Sequence, residues 1–308
     1  MQRLDRLRRY EDPEAGIFEE FLATRLGPGA SLALLAGPLA EERREGWVVC
    51  SFVGPEHGNV RRLEAILARG LAAAGFPVLR VRPDDDPVHG GIGEIELAAR
   101  IAEVEEAVEA LRRAAAVEAV GAIGVLFGGT VAALCAQRLG LSAMALVEPP
   151  LSGRQYLREA MRREAVADLM ATADPAQAAP RPMRELAETG RTTVRGLPLS
   201  AAAFEEISAV SLLDDLDAFR GRSLLLGVSP TEKASPGLRR LAEHLGALGG
   251  EVTLHVVRDV LERPLGDYYY RNVGLLRVDT RLELDRALAG AAVAWARGEA
   301  AVGGAVVA

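Results

Sequence analysis

The chain has 308 residues, 49% hydrophobic and 26% charged, a balance typical of a folded globular protein rather than a disordered one. Its formal net charge of -7 argues against non-specific nucleic-acid binding, which needs a basic surface. The N-terminus alternates charge and lacks the apolar segment of a signal peptide, and no run is long and apolar enough to span a bilayer. We therefore expect a cytoplasmic protein with no membrane span and no nucleic-acid partner.

Short apolar strands alternate with amphipathic helices over the first 150 residues. The strands are predicted at 31–39, 46–52, 76–83, 120–126 and 143–149, and the helices at 59–75, along a stripe from Leu97 to Leu111, and at 130–140. This alternation predicts a mostly parallel sheet that is covered by helices on both faces.

The alternation stops after Pro150. Residues 151–210 contain charge-rich helical pieces and a Pro/Ala linker at 174–182, which together predict a helical cap insertion. The sheet pattern returns with strands at 222–230 and 251–257, a helix at 236–248 and a last helix near 281–297. We therefore expect a first part of the α/β core at 1–150, a cap at 151–210 and a second part of the core at 211–308.

Cysteine and histidine usage argues against a structural metal. Cys50 and Cys135 each lie in an apolar segment, so we expect reduced core residues and no disulfide. Four histidines without a Cys/His cluster do not make a zinc site. The run Asp84-Asp85-Asp86 between two prolines is interpreted as a solvated turn. We expect neither a metal nor a cofactor.

The segment Gly124-Val125-Leu126-Phe127-Gly128 is the most informative stretch of the sequence. An apolar strand ends in a Gly-x-X-x-Gly pattern and passes directly into a helix, as at the strained turn that carries the nucleophile of α/β hydrolases. The glycines allow close backbone approach, and the N–H group after the central residue helps to form the oxyanion hole. Here the central residue is Leu126, which has no group that can attack a carbonyl.

Two other interpretations fit parts of this segment. One is a generic strand–glycine–helix turn of a doubly wound protein. The other is a dinucleotide-binding turn, which fits poorly because the Gly-x-Gly-x-x-Gly spacing is missing and the strand lies in mid-chain.

Several segments together resemble α/β hydrolases of the serine-aminopeptidase-like type, and within it the exosortase-associated and natural-product-cluster hydrolases. These segments are GWVVCSFVGPEHGNVRR, LAAAGFPVLRVRPDDD, the elbow GAIGVLFGGTVAAL, and the cap segments LVEPPLSGRQYLREAMRR and GLPLSAAAFEEISAVSLL. The resemblance implies an α/β-hydrolase fold with a mostly parallel eight-stranded sheet, helices on both faces and a helical cap insertion. It also implies a place in natural-product or exopolysaccharide biosynthesis.

The chain departs from that family at its catalytic positions. The family's acid usually follows the seventh strand, where this chain has Ser229-Pro230-Thr231-Glu232, and its histidine usually follows the eighth, where residues 258–272 contain none. Some members of the group carry Arg at the elbow, so a degenerate site fits a known tendency. Hydrolysis by the usual Ser-His-Asp arrangement is therefore not expected.

Other polar residues are predicted near the same edge of the sheet. His57 and His89 follow strands, and Glu148 ends the strand after the elbow helix. A histidine beside a carboxylate can act as a general base without a serine, whereas solvated loop histidines are the alternative.

The surroundings of the elbow supply further candidates. Phe52 and Gly54 lie in the loop that, with Phe127 and Gly128, would form the oxyanion region. In the cap, Arg154 and Tyr156 are candidates for binding an acidic or acyl-carrier ligand, and salt bridging on the helix surface is the alternative for them.

Three hypotheses for the function follow. The first is a pseudo-hydrolase that serves as a non-hydrolytic binding or accessory subunit, as a homodimer or with a hydrolase homologue. The second is an enzyme that uses a loop histidine for lyase, isomerase or cyclase chemistry on an acyl or polyketide-like substrate. The third is an esterase or thioesterase with a displaced nucleophile such as Ser51 or Ser229. All three place a small-molecule or acyl ligand in the cleft above the elbow.

Overall fold

A computed structural model of the chain describes residues 8–27, 31–40, 42–52, 57–82, 96–171, 182–194, 197–258, 278–299 and 305–307. Its strands are β1 Arg9–Asp12, β2 Ile17–Leu26, β3 Ser31–Pro38, β4 Glu45–Cys50, β5 Val78–Arg82, β6 Ala119–Val125, β7 Ala143–Val147, β8 Arg191–Val194, β9 Leu197–Ser200, β10 Arg222–Ser229, β11 Glu251–Arg258 and β12 Ala305–Val307. Its helices are α1 His57–Ala73, α2 Leu97–Ala115, α3 Phe127–Arg138, α4 Gly153–Ala171, α5 Pro182–Thr189, α6 Ala201–Ala209, α7 Leu212–Asp215, α8 Pro236–Ala247 and α9 Val278–Ala296.

Ten strands form one sheet in the order β1-β2-β3-β5-β4-β6-β7-β10-β11-β12. The six strands from β5 to β11 in this order pair in parallel, and the flanking pairings are antiparallel. The central parallel strands β4, β6 and β7 are buried on both faces because helices cover them, which explains their apolar sequences. The predicted mostly parallel sheet between helices is confirmed.

The sheet differs from the eight-stranded prediction at its two edges. Strand β1 is exposed and charged, and β12 is a three-residue strand in the apolar tail; each pairs with only one neighbour. Eight strands lie between them. Edge strands are short and pair on one side only, so their own sequences indicate them weakly.

The core has one apolar layer on each side of the sheet. On one side α1 and α9 pack over Trp47, which meets Trp295 edge to face with ring centroids 5.8 Å apart. On the other side α2, α3 and α8 pack together with residues of the segment between β7 and β10. Cys50 and Cys135 are buried and free, as expected, and burial raises the pKa of the Cys135 thiol to about 12.

The segment between β7 and β10 is less purely helical than predicted. It contains α4, α5, α6 and α7, and also the antiparallel hairpin of β8 and β9. Gly153 begins α4 against the backbone of α6, where a Cβ atom would lie 1.8 Å from the carbonyl oxygen of Ile207. A glycine is therefore required where these two helices meet. Within the described ranges, no helix is long and apolar enough to cross a membrane.

Glu206 of α6 caps a helix of the core. Its carboxylate accepts hydrogen bonds from the N–H groups of Leu97 and Ala98, at 3.1 and 2.8 Å, at the start of α2. Glu96, the residue at the N-cap position, makes no side-chain capping bond. The negative charge of Glu206 also interacts favourably with the positive end of the helix dipole at this N-terminus. The first turn of α2 therefore depends on a residue 109 positions further along the chain.

Glu206→Ala should free these two amide groups. We expect faster hydrogen exchange at Leu97 and Ala98 and a loss of about 1 kcal/mol of unfolding free energy, the usual cost of a lost cap. Glu205→Ala is the matched control, because Glu205 is exposed on the same helix. Equal exchange at these amides in both variants would contradict the capping role.

Candidate functional site

Leu126 occupies the strained position of a strand-to-helix turn. Its backbone has φ 51° and ψ -125°, in the positive-φ region that side chains rarely adopt. Its N–H group donates to the carbonyl oxygen of Val147 at 2.8 Å, and its own carbonyl accepts from Gly129 at 2.9 Å. Strain of this kind costs about 1–3 kcal/mol and persists only where the surroundings enforce it.

The glycines on either side enforce this turn. A Cβ atom at Gly124 would lie 2.1 Å from the carbonyl oxygen of Gly128. A Cβ atom at Gly128 would lie 2.5 Å from the carbonyl oxygen of Cys50, at the end of β4. Strand β6, helix α3 and the end of β4 therefore meet at backbone contact distance. The turn that the glycine pattern predicts is confirmed.

The side chain of Leu126 is buried in apolar surroundings. It is 6% exposed and belongs to the same core layer as Val147, Leu226 and Val257, which lie on neighbouring strands. An apolar, packed side chain thus occupies the position from which a nucleophile would act.

Two aromatic rings pack against Phe127, the residue after Leu126. Phe127 is fully buried, with ring centroids 4.4 Å from Phe52 and 4.6 Å from Tyr156. Phe52 follows β4 and Tyr156 lies on α4, so the rings join the loop after β4, the elbow and the first helix beyond β7. Each of these residues is a candidate from the sequence, but no local sequence pattern predicts that their rings are in contact.

Glu148 follows β7, directly beside the elbow. It has φ 46°, and its Oε1 accepts a hydrogen bond from the N–H group of Val228 at 2.7 Å. Burial raises the pKa of the Glu148 carboxyl, and the bond from Val228 partly opposes that rise. A carboxyl with a raised pKa next to an elbow is suited to proton transfer. Nothing in the sequence indicates the bond to Val228, because it joins the ends of two strands 80 positions apart.

Some of the other predicted site residues lie within the described part of the chain and some lie outside it. His57 is the first residue of α1, and its side chain lies outside the described part of the chain; Gly54, His89 and the 84–86 triplet lie outside it altogether. Arg154 is exposed on α4, on the outer side of the helix from Tyr156. The described residues therefore bring together Phe52, Leu126, Phe127, Gly128, Tyr156 and Glu148.

The two alternative serines differ in environment. Ser51 is 6% exposed, between Cys50, which contacts Gly128, and Phe52. Ser229 is half-buried at the end of β10, and its hydroxyl lies 3.1 Å from that of Thr231. Within the described ranges, no group of three or more His, Cys, Asp and Glu side chains is arranged to hold a metal ion.

Solved structures with the same fold include several esterases. Est1E from Butyrivibrio proteoclasticus aligns with a TM-score of 0.54 at 13% identity, over 88% of this chain and 96% of that chain. Brefeldin A esterase, described as a bacterial homologue of human hormone sensitive lipase, aligns at 0.54 and 16% over 94% and 81%. The Pyrobaculum calidifontis esterase aligns at 0.52 and 18% over 90% and 86%.

This chain therefore has the α/β-hydrolase fold. Identities this low show the fold and nothing about the activity. No protein-family model matches the chain, and no curated protein matches it either.

An alanine is usually more stabilising than a glycine at the same position, and we expect the opposite order for Leu126→Ala and Leu126→Gly. Removing the buried side chain should cost about 2–3 kcal/mol of unfolding free energy in either variant. Glycine adopts positive φ freely, so Leu126→Gly should be about 1 kcal/mol more stable than Leu126→Ala in urea unfolding. Ala133→Gly in α3 is the control, and should lose about 1 kcal/mol. A Gly variant less stable than the Ala variant would show that the elbow is unstrained.

Glu148→Gln should change how stability depends on pH. A carboxyl whose pKa is raised by folding binds its proton more tightly in the folded state, so ionisation costs stability once the pH exceeds the unfolded value near 4.5. The unfolding free energy of the wild type minus that of Glu148→Gln should therefore fall as the pH rises from 4.5 towards neutrality. A difference that stays flat or rises would contradict the raised pKa.

Proposed function

We propose that this chain is a non-hydrolytic binding or accessory subunit in a biosynthetic pathway, built on the α/β-hydrolase fold. The observation that carries the proposal is the retained elbow with a buried leucine at its centre. The strain and the glycine contacts of the turn remain, whereas the reacting group is missing. The absence of histidine from residues 258–272 supports the same conclusion.

The proposed ligand is a small molecule or acyl group in the cleft above the elbow. Leu126 in one core layer and the rings of Phe52, Phe127 and Tyr156 in the other make both sides of the elbow apolar, which favours a hydrocarbon-rich ligand. Residues 151–210 are proposed as a cap between two core parts, 1–150 and 211–308. We propose a cytoplasmic location, which two free buried cysteines support, and assembly as a homodimer or with a hydrolase homologue.

A second candidate function is favoured by Glu148. Its raised pKa and its position beside the elbow suit it to act as a general acid or base with a loop histidine, His57 or His89, in lyase, isomerase or cyclase chemistry. If this function holds, turnover of an acyl substrate is lost in Glu148→Gln and in the His→Ala variant of the partner, while the fold is kept.

A third candidate is an esterase or thioesterase with a displaced nucleophile, and the esterase names of the structural neighbours favour it. Ser51 is the better candidate, because it lies beside the residues that pack against Gly128. Its burial counts against ready access by substrate.

A fluorophosphonate probe separates the first function from the third. We expect no covalent labelling of the wild-type chain, because residues 258–272 contain no histidine to activate a serine. We also expect none in Leu126→Ser, because a serine at the elbow would still lack the triad histidine. An active serine esterase treated in parallel is the positive control.

Labelling of the wild type would overturn the proposed function. Loss of that label in Ser51→Ala or in Ser229→Ala would then identify the displaced nucleophile. Labelling of Leu126→Ser alone would show that a base does reach the elbow, and that the leucine is the only catalytic defect.

A further inference from the structure

Helix α4 carries arginines in a row on its outer face. Arg154, Arg158 and Arg162 are four residues apart, so they project from one side of the helix, and all three are exposed. Their row extends over about 12 Å at 1.5 Å per residue. We call these three residues the arginine row.

Two members of the row have no ion-pair partner within the described part of the chain. Arg162 binds Glu159 through two hydrogen bonds of 2.7 and 2.9 Å, and Arg163 binds the same carboxylate at 2.8 Å. Arg154 and Arg158 have no such carboxylate among the described residues. The hydrogen bonds from Arg162 and Arg163 lower the pKa of Glu159 to about 2, so this carboxylate stays ionised and paired.

A groove runs along the row. It has a volume of about 340 Å³ and is lined by Ser152, Arg154, Gln155, Arg158, Glu159 and Arg162. Three arginines and one glutamate give this lining a net positive charge, on a chain whose formal net charge is -7. The groove is thus a cationic surface on an acidic protein.

The opposite face of the same helix contacts the elbow region. Tyr156 and Leu157 are buried, and the Tyr156 ring packs on Phe127. The arginine row therefore lies one helix diameter, roughly 10 Å, from the rings beside Leu126. A partner bound there would be held next to the proposed ligand site without entering it.

We propose that the arginine row is the docking surface for an acidic α-helix of a partner protein. Glutamates at positions i, i+4 and i+8 of a helix repeat at the same spacing as the row and can face it along its whole length. The guanidinium groups of Arg154 and Arg158 supply donors that pair with carboxylates side by side. The proposal holds whether or not the elbow is catalytic.

The length of the row favours a helix over a nucleic acid. A row of about 12 Å matches two to three turns of a helix, whereas nucleic-acid binding sites follow a longer phosphate backbone. An extended polyanion would also meet the rest of a negatively charged protein, since exposed charges act over a Debye length of about 8–10 Å. A single acidic helix meets only the row.

The test measures the affinity of the full chain for a synthetic helical peptide of about 18 residues, long enough to be helical in an alanine-rich sequence. Glutamates occupy positions i, i+4 and i+8 on one face, and anisotropy of a fluorescent label reports binding at low and at high salt. Arg154→Glu/Arg158→Glu should weaken binding about tenfold or more, with Arg154→Gln/Arg158→Gln in between. High salt should weaken binding to the wild type.

The controls separate this surface from general charge effects. Arg240→Glu/Arg286→Glu changes the net charge equally at exposed positions on α8 and α9, and should alter the affinity less than about twofold. A peptide of the same composition with its glutamates spread around the helix should bind more weakly than the ordered one.

Four results would overturn the proposal. The first is no binding of the ordered peptide at low salt, and the second is an equal loss of affinity in Arg154→Glu/Arg158→Glu and in Arg240→Glu/Arg286→Glu. The third is equal affinity for the ordered and the spread peptide, and the fourth is tighter binding of a single-stranded oligonucleotide at the same arginines. The last would assign the row to a nucleic acid instead. None of these measurements involves turnover or labelling at the elbow, so this proposal and the proposed function fail separately.

Discussion

The close approach of three backbone segments at the elbow is the constraint on which the rest of the structure depends. Strand β6 ends at Val125, helix α3 begins at Phe127, and the carbonyl of Cys50 faces Gly128 at a distance that leaves no room for a Cβ atom. This contact sets the position of α3 on the sheet and brings the end of β4 to the elbow. The glycines are thus required by packing, and their presence does not imply a catalytic residue between them.

The requirements of the fold and of the chemistry fall on different residues of the same turn. A leucine held at φ 51° is strained by about 1–3 kcal/mol, and burial of its side chain stabilises the fold by about 1.5–3 kcal/mol. The two are comparable, so the turn can keep its shape without a serine. This balance explains how the elbow geometry persists with an apolar side chain packed at its centre. The carboxyl with a raised pKa beside it is that of Glu148, which is hydrogen-bonded to Val228 of β10 and not to the elbow residue itself.

The sequence predicted those parts of the fold that are determined locally. The inner strands β3 to β7, β10 and β11 and the helices between them are continuous apolar or amphipathic segments, and their observed ends lie within a few residues of the predicted ones. Strands β1, β2 and β12 and the β8–β9 hairpin were not predicted, because short or half-exposed strands are defined by their partners more than by their own composition. The elbow was predictable because glycine is needed at fixed positions. The contacts of Glu148 with Val228, and of Phe127 with Phe52 and Tyr156, were not, because they join residues far apart in the chain.

Helix α4 connects the outside of the protein with the elbow region. Its inner face carries Tyr156 onto Phe127, its outer face carries the arginine row, and its first residue, Gly153, packs without a side chain against the backbone of α6. Packed helices move as rigid units with a few discrete arrangements, and do not deform continuously. A displacement of α4 would therefore shift the Tyr156 ring against Phe127 and pull on α6, which also holds Glu206 at the start of α2.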